Sequence, residues 1–130
     1  MIHTRAILDG LPRLRGVRIL WFNDWYDGPV DGVAEFEGLE YWFADIDDFQ
    51  HTWPARRYVL HPICKEQATA EWTLHRECQL RTGLGGCCQP ACPGPVEGTA
   101  DLASWWRDYP DPHSPDYVTV PPVGWFTASG

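Results

Sequence analysis

A chain of 130 residues, 44% of them apolar and eight of them tryptophan, has the size of one domain and too much aromatic area to remain unfolded. Its net charge of −8, with nine arginines against the single Lys65, argues against nucleic acid as a partner, because that affinity is built from Lys and Arg neutralising phosphates. No run approaches the roughly 20 apolar residues of a membrane span and no secretory leader is apparent, so a cytoplasmic protein is expected, whose five cysteines act as thiols or metal ligands rather than as a disulfide framework.

In chain order, Arg5, Arg13, Arg15 and Arg18 make the first eighteen residues basic, with Asp9 the one acid among them, which reads as a solvated face. Val17 to Asn23 is a continuous run of strand formers, apolar on both sides and so expected to be central. Asn23 to Gly32 carries two turn signals, Asp27-Gly28-Pro29 and Asp31-Gly32, and reads as a loop. Val33 to Ile46 reads as a hairpin turning at Glu37-Gly38 or Gly38-Leu39. Either turn places Ala34, Phe36, Tyr41 and Phe43 on one face, expected to be the core. Val33, Glu35, Glu37, Glu40, Trp42 and Ala44 fall on the other, expected to be wet.

After a polar connection from Asp45 to Pro54, Arg57 to His61 reads as a strand stopped by Pro62. Lys65 to Arg81 has the composition of a helix, with Ala68, Trp72, His75 and Cys78 forming a stripe widened by Ala70 and Leu74, and Gly83 closing it. That stripe is expected to cover Phe36, Tyr41 and Phe43. Leu84 to Gly98 turns to Gly, Pro and Cys and has neither period. A short helix capped by Thr99 and ended by Pro110 follows, then strand-like Tyr117 to Val120 and Val123 to Phe126 on either side of Pro121-Pro122. The sum is a single α+β domain: a mainly antiparallel sheet of four to five strands, with one longer and one short helix packed on one face. The stretch from Trp25 to Gly32, with Tyr41-Trp42-Phe43 and Val123-Gly124-Trp125-Phe126, resembles segments of short bacterial proteins, a resemblance that implies no function.

The stretch from Trp21 through Asp48 holds nine carboxylates and neither Lys nor Arg. Aromatic rings interleaved with acids are the composition of a protein-binding surface, here Trp25, Asp27, Glu35, Glu37, Glu40 and Trp42, facing a basic partner protein or a second copy of the chain. A rival reading is a small-molecule or nucleotide pocket lined by Trp21, Trp25, Trp42 and Arg57, with acids from the Asn23–Asp31 segment. Oxygen ligation of Mg²⁺ or Ca²⁺ by Asn23, Asp24, Asp27 and Asp31 with Asp45, Asp47 and Asp48 is the weaker alternative to ordinary turn acids.

A third reading is a zinc-stabilised domain. His75 and Cys78 stand three apart on the helix, and Cys87, Cys88 and Cys92 in the following loop could complete a tetrahedral nitrogen and sulfur set. Irregular spacing and an odd cysteine favour the unclamped loop. An enzyme is not expected, since neither a nucleophile elbow nor a phosphate-binding glycine loop occurs. His61, at a strand end, is the nearest thing to a general base and is read as a rim residue.

Overall fold

The computed structural model describes residues 5–25, 28–46, 55–82, 86–87, 107 and 116–128. Six strands form one antiparallel sheet: β1 (Arg18–Trp25), β2 (Gly28–Phe36), β3 (Leu39–Asp45), β4 (Arg57–Pro62), β5 (Gly86–Cys87) and β6 (Gly124–Thr127). Their order is β5-β1-β2-β3-β4-β6, with the two-residue β5 added to the edge of five full strands. One helix, α1 (Lys65–Thr82), and 3₁₀ turns at Arg5–Leu8 and Asp116–Thr119 complete the described α+β fold.

The β2–β3 hairpin turns at Glu37-Gly38, with Phe36 opposite Leu39. Both turn residues have positive φ, 52° at Glu37 and 82° at Gly38, the type I′ geometry whose twist matches the flanking strands. The expected loop from Asn23 to Gly32 is instead mostly strand, because β1 continues to Trp25 and β2 begins at Gly28. Gly32 serves close approach rather than a turn. Its φ is 155°, and a Cβ there would lie 2.2 Å from the Trp21 carbonyl oxygen. Beside it a bulge between Ile19 and Trp21 leaves Leu20 without a cross-strand partner, so that Leu20 and Trp21 enter the same core cluster.

The sheet is buried on both faces. Ala34, Phe43, Tyr58, Leu60 and Phe126 form one core, against which Leu14, Val17, Ile19, Phe22, Phe36 and Tyr41 pack. The segment before β1 also runs beside β6, with Leu14 N–H donating to the Trp125 carbonyl at 2.7 Å and Trp125 N–H to that of Pro12 at 3.0 Å. Gly124 leaves room for it: a Cβ there would lie 2.6 Å from Leu14 Cγ. On the other face Leu20, Trp21, Val33 and Trp42 form a second core with Trp72 of α1, Ile63, Tyr117 and Val118.

This second core corrects two expectations. The helix packs on the face of Val33 and Trp42, not on that of Phe36, Tyr41 and Phe43, and the face expected to be wet is closed. The facial partition itself holds, since Val33 lies opposite Trp42 and Ala34 opposite Tyr41. Tyr117–Thr119 is a 3₁₀ turn rather than a strand, held by Val120 N–H to the Tyr117 carbonyl at 3.0 Å and Thr119 Oγ1–H to the Asp116 carbonyl at 2.6 Å. The short helix expected after Thr99 lies outside the described residues, apart from Arg107, which is helical.

Candidate functional site

Two regions concentrate the chemistry: the tip of the β2–β3 hairpin and the layer between α1 and the sheet. At the tip, Glu35 and Glu40 stand directly opposite each other, a like-charged cross-strand pair that opposes strand pairing. Each has found a donor. Arg18 Nη2 lies 3.3 Å from Glu35 Oε2, with both side chains well exposed, and Trp72 Nε1–H donates to Glu40 Oε1 at 2.5 Å. Glu37 and Leu39 project from the turn, Leu39 being 63% exposed.

The buried layer is built by three elements. From α1, Glu71, His75 and Gln79 lie at i, i+4 and i+8 on the helix side that also holds Ala68 and Trp72, and all three are nearly sealed from solvent. The helix starts at Cys64, whose carbonyl accepts from Ala68 N–H at 2.9 Å while its own N–H donates to Gln67 Oε1 at 2.8 Å, half of a capping box. From β1 comes Trp21, whose ring lies flat on His75 at 4.4 Å and meets Trp42 and Trp72 edge-on at 5.9 and 6.2 Å. From the 3₁₀ turn comes Tyr117, edge-on to Trp42 at 5.7 Å and hydrogen-bonded to Glu71.

Burial shapes the protonation of this layer. Desolvation, then the positive charge of Arg76, pushes His75 down to about 4, so it is neutral at physiological pH. Tyr117 is pushed up to about 12, first by burial and then by the Glu71 carboxylate beside it. His61 is fully buried rather than at a rim. Its Nδ1–H donates to the Val120 carbonyl at 2.7 Å, and burial lowers its pKa despite that bond. The carbonyl fixes the tautomer, and the bond ties β4 to the segment after the 3₁₀ turn.

The sequence-predicted binding residues separate. Glu35, Glu37 and Glu40 cluster at the hairpin tip, whereas Trp42 is 1% exposed and belongs to the core. Trp25 ends β1, and Asp27 lies outside the described residues. Trp21 and Trp42, expected to stack a ligand, contact the chain's own rings instead: Trp21 stacks on His75 and Trp42 meets Tyr117 edge-on. Of the expected oxygen ligands, Asp31 accepts from Asn23 Nδ2–H at 2.7 Å and Asp45 lies 3.7 Å from Arg56 Nη1; Asp47 and Asp48 lie outside the described residues.

Of the expected metal ligands, the side chains of His75 and Cys78 are described, Cys87 is placed by its backbone in β5 alone, and Cys88 and Cys92 lie outside the described residues. Among the described residues no three His, Cys, Asp or Glu side chains gather as a metal site, and no helix is long and apolar enough to cross a membrane. Hydrophobicity alone does not place Glu71 and Gln79 in the buried stripe of α1. Their four-residue spacing around His75 was the available signal. No family model, curated protein or solved structure matches the chain.

Proposed function

We propose that the chain is a small interaction protein that offers the acidic tip of the β2–β3 hairpin to a basic surface on a protein partner. The observation that carries this reading is the local cost of the tip. Glu37 occupies a left-handed position at φ 52° where Asn or Gly would be favoured, and Glu35 faces Glu40 across the ladder. Residues that break local folding rules without a gain in stability are expected where a surface serves recognition. Leu39, exposed beside them, adds an apolar contact at the centre of the charged rim.

The pocket reading draws less support, since two of the rings it needs, Trp21 and Trp42, are buried against His75 and Tyr117. The test is a binding measurement with partners recovered on the immobilised chain and then purified. Wild type should bind with an affinity that falls as salt rises, and Glu37→Lys combined with Leu39→Ser should weaken binding at least about tenfold while unfolding at an unchanged midpoint. Equal binding by the folded double variant would refute the tip as the contact surface.

A further inference from the structure

The helix rests on the sheet through polar groups more than through apolar ones. Among the described residues of α1, those sealed from solvent are Ala68, Glu71, His75 and Gln79, of which Ala68 alone is apolar, while Trp72 is half-buried. Beneath them, Trp21 Nε1–H is buried and has no hydrogen-bond partner among the described residues. A buried, hydrogen-bonded polar group stabilises less than a buried ring, and an unpaired donor opposes burial until water reaches it. The Phe43 core, built of rings and aliphatic side chains, carries neither weakness. The 3₁₀ turn at Asp116–Thr119 is joined to the helix, for Tyr117 is hydrogen-bonded to Glu71 and meets Trp42 edge-on at 5.7 Å. No residue of that turn is itself sealed from solvent. Lifting either cover alone would break the bond that the two share.

We propose that α1 and this turn form one lid, which opens as a unit from the Val33–Trp42 face while the five full strands and the Phe43 core stay closed. The chain leaves the sheet for the lid at Ile63–Cys64, after β4, and returns at Val120–Val123, before β6. At the return it is tied to β4 by His61 Nδ1–H to the Val120 carbonyl at 2.7 Å and by Val123 N–H to the Leu60 carbonyl at 2.8 Å. Opening bares Trp21 and Trp42 and gives the Trp21 indole N–H to water. It also separates Trp72 Nε1–H from Glu40, which unties the lid from the hairpin tip. Polar attachment sets the lid at the low-stability end of the molecule, and the shared Tyr117–Glu71 bond makes its two parts move together.

The test is residue-resolved hydrogen exchange of the full chain in denaturant below its unfolding midpoint, with rates corrected for intrinsic exchange. The amides of Trp72 and His75 in α1 and that of Val120, which donates to the Tyr117 carbonyl at 3.0 Å, should share one opening. That opening should be at least about tenfold more frequent than the one that exposes the β3 amides. Thr119→Ala removes the hydroxyl that donates to the Asp116 carbonyl within the turn, and should speed exchange in α1 and at Val120 by one common factor of about two to ten. Phe43→Leu, on the far face, should speed exchange in β3 and leave the lid amides unchanged, because it weakens the open and closed forms alike. Lid amides as slow as those of β3, an α1 unmoved by Thr119→Ala, or an α1 sped by Phe43→Leu as much as β3 is, would overturn the lid.

Discussion

Phe43 and Trp42 are neighbours in β3 and both are sealed from solvent, yet they belong to layers of opposite chemistry. The Phe43 face is ring against ring: Tyr58 at 5.3 Å, Phe126 at 5.9 Å, and aliphatic side chains from the segment before β1 around them. The Trp42 face mixes indoles with a carboxylate, imidazoles and an amide, the polar groups coming mainly from α1. Burial alone stabilises the first layer. In the second, each polar group adds stability only while its partner stays in place, because a buried group that loses its hydrogen bond pays the full cost of desolvation. The Trp42 face is therefore the more conditional half of the structure, and pH should separate it from the other.

Truncation on the apolar face gives the largest expected effect. Phe43→Ala should lower unfolding free energy by about 3–5 kcal/mol, read as a shift of the denaturation midpoint, and the loss should be the same at pH 7 and pH 5. A pH-dependent loss would mean that the two layers are coupled through β3.

Acid should act on the other face. His75 has a folded-state pKa near 4 against an unfolded value near 6.5, so below pH 6.5 the unfolded chain takes up the proton first. The stability associated with neutral His75 is fully present above pH 6.5 and is lost progressively as pH falls toward 4, by up to about 3 kcal/mol. Buried His61 contributes in the same direction. Denaturant titrations of wild type and His75→Gln across this range check the assignment: the variant should show a clearly shallower decline, and identical slopes would contradict it.

The smallest effect is at the hairpin tip, outside both layers. Glu37→Asn places a residue that tolerates positive φ in the turn and should raise stability by about 0.5–1 kcal/mol by thermal or chemical melting. By the proposed function the same substitution weakens partner binding, so a variant more stable and also better at binding would break the link between tip strain and recognition.

Much of the sheet was legible from alternation and turn chemistry. The Val17–Asn23 strand, the hairpin, its facial partition and the Arg57–His61 strand all follow from β-branched and aromatic runs broken at Gly and Pro. The burial of the Val33 face was not, because Glu35 and Glu40 made it look solvated. Those acids mark only its end by the hairpin turn, where Arg18 and Trp72 answer them, while Val33, Trp42 and Ala44 further along lie under cover. Glu71 and Gln79 face inward against their hydrophobicity because the sheet beneath presents indole rings and Tyr117 arrives from 46 residues downstream of Glu71. No local pattern encodes a partner that distant. The cluster of three acids at the tip was visible in the sequence, whereas the separation of Trp42 from it depended on where the helix docks.

Trp42→Ala decides whether the acid-bearing face of the sheet is a second core closed by α1. If Trp42 is packed between Trp21, Tyr117 and the helix, its truncation should cost about 3–5 kcal/mol in urea denaturation, comparable to Phe43→Ala. A loss within about 0.5 kcal/mol, the range of an exposed surface position, would contradict the closed face and return Trp42 to solvent.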